Sequence, residues 1–317
     1  MSTPSIAVII PLYNKAPHIQ GTLQSVFNQT VQPDEIIIVD DGSTDGSGEI
    51  VAAISHPLLK LIRQKNSGES AARNTGVREA AADYVAFLDA DDYWHECHTE
   101  ELKKLIDKCP NHALYSTMHQ VRFNGRLYTP RAAYLNDFSG VVDDFFSRFA
   151  YGLSLVNSTT ACVHRELLLK LGGFPVGIKK GPDLITWVKL ARRYGMAHSG
   201  RVTATYNREA ANRSAQIREK EPPGSLLYLS ALLQDEITDD VERRGVRLLF
   251  SRIAFFTAAG MRASGDLGGV IGILALVRRM DMWLLTVKIA MLFLTPSWFL
   301  IYAQRWRHRC IVVRLPL

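Results

Sequence analysis

Four times in its first 92 residues the chain repeats one pattern: a short apolar run that ends abruptly in polar residues. Residues 6–10 close on Pro11-Leu12-Tyr13-Asn14, and 35–39 on Asp40-Asp41-Gly42-Ser43-Thr44-Asp45. Residues 58–63 lead to Asn66-Ser67-Gly68, and 84–88 to Asp89-Ala90-Asp91-Asp92. Short apolar runs rich in Ile and Val, bounded by turn residues, are strand signals. Helical spacing lies between them, with Pro17 expected near the first turn of the first helix, where the missing N–H has no helical partner to lose. Strands alternating with helices form βαβ units, so the fold class is α/β with a mostly parallel central sheet flanked by helices. In such sheets ligands bind beyond the carboxyl ends of the strands, where all four polar clusters are delivered.

The fourth cluster is the richest in chemistry. Asp89, Asp91 and Asp92 leave one strand end together and repel one another. A divalent cation relieves that repulsion, and oxygen ligands of this kind suit Mg²⁺ or Mn²⁺ with a phosphate completing the shell. The plainer alternative is solvated turn or capping acids. Tyr13 and Asp41 offer a flat shelf and a carboxylate for the edge of a planar base, although Asp41 could equally cap a helix after Ser43. Asp40 is the simpler turn residue. Arg73 brings a fixed cation with five donors towards phosphate or the acids, and the amides at 67–70 favour anions. An exposed helix arginine is the alternative.

Pro11-Leu12-Tyr13-Asn14, Val39-Asp40-Asp41-Gly42-Ser43-Thr44-Asp45, Ala71-Ala72-Arg73-Asn74-Thr75-Gly76 and Asp89-Ala90-Asp91-Asp92 stand in this order and at this spacing. Together they resemble the family 2 glycosyltransferases of the GT-A fold, closely over the first third and more loosely towards residue 215. The resemblance implies a Rossmann-like donor half (1–92), an acceptor half of the same domain (93–215), and inverting transfer of a sugar from a nucleotide diphosphate, with UDP as the expected nucleotide. It implies that Pro11, Tyr13, Asn14, Asp41, Arg73 and Asp89 bind the donor, with Tyr13 and Asp41 at the uracil. It assigns the metal to Asp91 first, with Asp89 shared between ribose and metal and Asp92 able to take the metal role.

Inversion needs a base on the acceptor side. The family places an acid one turn ahead of a Trp-x-x-Leu-Ala helix that follows a Gly-Gly-Phe turn. Here Leu171-Gly172-Gly173-Phe174-Pro175 is followed by Asp183 and Trp187-Val188-Lys189-Leu190-Ala191, so Asp183 is the matching base. Pro182 stands where relatives carry a second acid, and Ile185 where a later one is common. Asp183 as the N-cap of a helix starting near Leu184 is the alternative. Tyr206 and Ser214 fit a family loop in which Glu209 replaces the usual His; Arg208 or Arg213 could close it over phosphates, or it is a solvated linker.

Charge is unevenly spread over the 317 residues. From Arg243 onward 12 Lys and Arg meet only Asp266 and Asp281, a net of +10, which leaves −4 before it and +6 in all. The basic part is also the apolar part: 267–277 and 282–303 are hydrophobic runs punctuated by Arg278, Arg279, Lys288, Arg305, Arg307 and Arg309, with Trp283, Trp298 and Tyr302 suited to an interface. The region 216–317 is therefore expected to be helical and to lie, peripheral or re-entrant, on the anionic cytoplasmic face of the inner membrane. Spanning is the weaker reading because Lys288 and Pro296 interrupt the run, and a buried core helix or oligomer contact stays open. A membrane-bound acceptor follows; by resemblance it is a lipid-linked glycan in cell-surface polysaccharide synthesis. A polyprenyl-phosphate sugar synthase and a non-catalytic sugar-nucleotide-binding protein are the alternatives. The basic region is too apolar for a nucleic-acid module, and its Gln304-Arg305-Trp306 has the wrong spacing for a processive synthase. Cys97, Cys109, Cys162 and Cys310 form no metal or redox spacing, which fits free thiols in a reducing compartment. The first strand begins within a few residues of Met1, so a cytosolic protein without a signal peptide is expected.

Overall fold

The computed structural model describes residues 3–130, 137–152, 155–210, 222–235, 237–296, 298–300 and 312–313. Its first half is the expected repeat: β1 (Ile6–Leu12), α1 (Ile19–Phe27), β2 (Glu35–Asp40), α2 (Ser47–Ala52), β3 (Leu59–Arg63), α3 (Glu69–Glu79) and β4 (Tyr84–Phe87). The four strands are parallel, with β1 between β2 and β4 and β3 outside β2. The chain thus moves outward from β1 to β3 and then returns to the other side of β1. That reversal opens a crevice beyond the ends of β1 and β4. Pro11 is tolerated inside this central strand because the last bond on the β4 side runs from Leu88 N to Ile9 O, 3.1 Å, and β4 has ended where the next donor would be needed. Pro17 lies in the turn that leads into α1, two residues before the helix starts at Ile19.

Strands this apolar are buried on both faces. Ile6, Val8, Ile10, Ile36 and Ile38 pack with Ile19, Leu23 and Val26 of α1, while Ala7, Ile9, Ile37, Val39 and Phe87 face Ala72 and Val77 of α3. Gly76 permits that close approach, because a Cβ there would come within 2.5 Å of Ile9 Cγ2.

After β4 the sheet turns mixed. The elements are β5 (Tyr93–Trp94), α4 (His98–Lys108), β6 (Leu114–Phe123), β7 (Arg126–Pro130), β8 (Ser139–Val141), α5 (Phe145–Gly152), β9 (Ala161–His164), α6 (Arg165–Lys170), α7 (Pro182–Tyr194) and β10 (Met196–Asn207). β9 lies antiparallel between β4 and β6, and β10 runs parallel along the opposite edge of β6. β5 and β8 are short antiparallel additions to β10.

The helices α8 (Gly224–Asp235), α9 (Asp240–Ala263), α10 (Leu267–Arg279) and α11 (Trp283–Ala290) follow, and the strand β11 (Val312–Val313) pairs with β7. Val246, Leu249, Val270, Ile273 and Ile289 belong to the same core as the α3 face of the sheet. The run 282–303 is broken: α11 has 8 residues and gives way to a 3-10 turn, Met291–Phe293. Among the described residues no helix is long and apolar enough to cross a membrane. Tyr302 and the three arginines at 305, 307 and 309 lie outside the described residues.

Candidate active site

The loop after β1 is locked to the loop after β2. Asn14, at a φ of 51°, takes the amide of Thr44 on its Oδ1 at 2.8 Å, while Asn14 N donates to Ser43 Oγ at 3.1 Å and Lys15 N to Ser47 Oγ at 2.9 Å. These bonds fix the loop that carries Tyr13, which is 46% exposed. Asp40 behaves as a turn residue, accepting from Ser43 N at 2.9 Å. Asp41 is buried, and its carboxylate receives Gln64 Nε2 (2.7 Å), Ser67 N (2.9 Å) and Gly68 N (2.8 Å). It does not cap α2; it anchors the entrance of α3, so two of the amides expected to face an external anion already face Asp41.

Arg73 is the centre of the site. It is fully buried, with Nη2 at 2.7 Å from Asp89 Oδ1 and Nη1 at 2.7 Å from Asp183 Oδ1, and Nη2 also bonds Glu69 one helical turn back. The guanidinium lies 5.4 Å from the Phe174 ring centroid. Burial works against its charge, but Asp183, Glu69 and Asp89 outweigh that and hold it protonated. Burial first, then Asp91 and Asp183, lift Asp89 above the usual carboxylate range against the pull of Arg73. Arg73 also pulls Glu69 down, yet burial and the neighbouring Asp89, Asp183 and Asp91 together raise it to about 7.

Asp183 is not the N-cap. α7 begins at Pro182, capped by Gly181, so Asp183 sits inside the first turn, and its side chain runs to Arg73 and to Ser158 Oγ, which donates to Oδ2 at 2.8 Å. The turn that aims α7 is clasped by Asn74: its Nδ2 donates to Phe174 O and its Oδ1 accepts Phe174 N, both at 2.8 Å. Gly173 has φ +71°, and a Cβ there would lie 2.4 Å from Asn74 Oδ1. Phe87, Phe174 and Trp187 pack at 5.1 to 6.1 Å behind it.

The three acids after β4 part company. Asp89 meets Arg73, Asp91 Oδ2 meets Lys15 Nζ at 2.6 Å, and Asp92 is fully buried with Oδ1 on Asn207 N (2.7 Å) and Oδ2 on Thr159 Oγ1. Burial, then Asp89 and Asp91, raise Asp92 well above an ordinary carboxylate. Among the described residues no group of three or more His, Cys, Asp or Glu is arranged to hold a metal ion. Mg²⁺ and Mn²⁺ bound with a diphosphate need only one or two carboxylates, the remaining ligands being phosphate oxygens and water. An ammonium already stands on Asp91, so that oxygen accepts a cation, and Asp91 with Asp89 beside it fits such an ion.

Lys15, Glu69 and Ser158 were not singled out from the sequence. Glu69 was findable, since Glu and Arg four apart on a helix meet. Lys15 lies one residue past its motif and carries no pattern. Glu209, in the place of the family His, accepts Gly125 N at 2.6 Å. Arg213 and Ser214 lie outside the described residues.

Solved structures share this fold. The chain is similar to S. aureus TarS 1–349 in complex with UDP-GlcNAc, at a TM-score of 0.70 and 21% identity over 88% of this chain and 83% of that one. It is similar to the mannosyltransferase PcManGT from Pyrobaculum calidifontis in complex with GDP-Man and Mn²⁺, at a TM-score of 0.60 and 24% identity over 92% and 86%. The sheet and its flanking helices have the GT-A fold. The chain belongs to glycosyl transferase family 2, whose family model matches residues 7–166, just over half its length. Among curated relatives, an uncharacterized glycosyltransferase of Rickettsia conorii is 30% identical over 61% of this chain and 31% of its own length. Glycosyltransferase GlyA of Streptococcus pneumoniae is 44% identical over 32% of this chain and 15% of its own. The chain spans less than a third of the length of these two relatives.

Proposed function

We propose that the protein is an inverting, metal-dependent transferase that moves a sugar from a nucleotide diphosphate donor, a UDP-sugar in first place, to a lipid-linked glycan in surface polysaccharide synthesis. The observation that carries the reading is Arg73, whose two terminal nitrogens join Asp89 on the donor side to Asp183 on the acceptor side. Pro11, Tyr13, Asn14 and Asp41 shape the nucleotide end, with the exposed Tyr13 ring as a shelf for the base. A divalent cation bound at Asp91 and Asp89 would neutralise the diphosphate as it leaves. Asp92 braces the loop instead.

In the reaction the acceptor oxygen forms its bond to the anomeric carbon as the bond from that carbon to the diphosphate oxygen breaks. The acceptor proton passes to Asp183, whose Oδ2 accepts a hydrogen bond from the neutral hydroxyl of Ser158. Arg73 and Ser158 hold that carboxylate in one orientation, and the Asn74 clasp fixes the helix that carries it.

The finer placement is the cytoplasmic face of the membrane. Exposed Trp283, Leu284, Val287, Met291, Leu294, Trp298 and Phe299 support it, flanked by exposed Arg278, Arg279 and Lys288. The test is transfer by purified protein from a panel of UDP- and GDP-sugars to membrane lipid extract. Asp183→Asn should lower transfer by roughly 10²-fold or more while donor binding persists. Undiminished transfer by that variant would move the base elsewhere.

A further inference from the structure

The crevice contains a cation that the reaction scheme above does not use. Lys15 follows the Tyr13-Asn14 loop, and its backbone is fixed through the bond from Lys15 N to Ser47 Oγ at 2.9 Å. From that anchor the side chain reaches across the switch point to Asp91, Nζ to Oδ2 2.6 Å, with both side chains only 12 to 13% exposed. Around this point Glu69, Asp89, Asp91 and Asp183 meet two cations, Arg73 and Lys15. Arg73 is fully buried and committed to three of the four carboxylates. The fourth, Asp91, has the lysine.

The two cations differ in kind. A guanidinium in a fork of carboxylates is a fixed strut, whereas an ammonium on a flexible four-carbon stem is a point charge that can change partners. It is also a good phosphate ligand. Asp91 cannot give the same oxygen to Lys15 and to a divalent cation, because two positive centres would be forced together on one atom.

Resting on the donor reading, we propose that Lys15 is an exchangeable cation: it neutralises Asp91 while the crevice is empty of donor and moves to the diphosphate when a divalent cation takes the carboxylate. The exchange makes metal and nucleotide favour each other. Metal arrival frees an ammonium for the phosphates, and by linkage the phosphates, by drawing the ammonium away, open Asp91 to the metal.

The experiment measures binding rather than turnover, using Mn²⁺ alone, UDP alone in chelator, GDP alone in chelator, and Mn²⁺ with either nucleotide. Lys15→Met should bind Mn²⁺ alone more tightly and the nucleotide alone more weakly, each by about fivefold or more, and should lose most of the mutual enhancement. Asp91→Asn should do the reverse in chelator, binding the nucleotide more tightly than the wild type because the ammonium has been released; this arm decides the matter if Lys15→Met does not fold. Wild-type values in both arms would make the pair a static ion pair and overturn the exchange. A wild-type protein that binds neither nucleotide would sink the donor reading instead, and the Mn²⁺ arm would still report on Lys15 and Asp91.

Discussion

Adjacent carboxylates with different surroundings have different work. Asp91 meets the Lys15 ammonium at the crevice, and Asp92 is enclosed by a hydroxyl and a backbone amide. Asp92→Asn should therefore keep its fold and most of its transfer activity: an amide oxygen can still accept Asn207 N, and the amide N–H can donate to the Thr159 hydroxyl. Asp92→Ala strands a buried amide and a buried hydroxyl, and should cost about 2 to 4 kcal/mol by thermal or urea unfolding. Asp91→Asn should unfold like the wild type yet lose transfer supported by Mn²⁺ or Mg²⁺. A dead, well-folded Asp92→Asn would return Asp92 to the metal.

Strands and helices were legible where burial is purely apolar. β1, β2 and β4 advertise themselves because both of their faces are packed, and the polar residues at their ends line the candidate site. β6 and β10 do not, since their seam is buried yet polar: Ser116 Oγ meets His198 Nδ1, Thr203 Oγ1 meets His98 Nδ1 and donates to Thr117 Oγ1, all at 2.7 Å. A hydropathy pattern reads such residues as surface, so the strands after residue 93 could not be drawn from it. Lys15 was hidden for a different reason, as its partner is 76 positions away and only the fold joins them. The seam has a cost in acid. Burial holds His98 and His198 neutral down to about 3 and His119 to about 4, and one ring nitrogen of each has no partner among the described residues. The unfolded chain takes up these protons near 6.5, so the histidine contribution is fully present above that pH and is lost as pH falls towards 4. Each histidine removes about 1.4 kcal/mol per pH unit across that window. Asp92, with a raised value, acts in the opposite sense, so the informative measurement is a difference. Between pH 6 and 4.5, His119→Gln should flatten the pH dependence of unfolding free energy by about that one-histidine slope, and identical slopes would show that His119 is not held neutral.

For the whole molecule, the helices beyond residue 222 share the core of the sheet on one side and leave an apolar face on the other. Trp283 is 68% exposed, Leu294 85% and Trp298 70%. Wild-type protein should sediment with phosphatidylglycerol vesicles, less so in high salt, and less with phosphatidylcholine alone. Changing Trp283, Leu294 and Trp298 together to Ser should weaken that binding by about tenfold or more and leave nucleotide binding intact, because these side chains contribute nothing to the core. Unchanged sedimentation would assign the face to another protein surface. Removing the helices is a poorer probe, since Val270 and Ile273 of α10 are part of the core. The Asn74 clasp has a consequence for how the molecule is made. Its two bonds to Phe174 join positions 100 residues apart, and the Arg73 to Asp183 pair spans 110. Such closures are entropically expensive until the strands between them are in place. As the chain leaves the ribosome, β1 to β4 are complete long before Asp183 has been synthesised, so a nascent chain passes through a stage in which Arg73 is present with Glu69 and Asp89 and has no Asp183 to receive it.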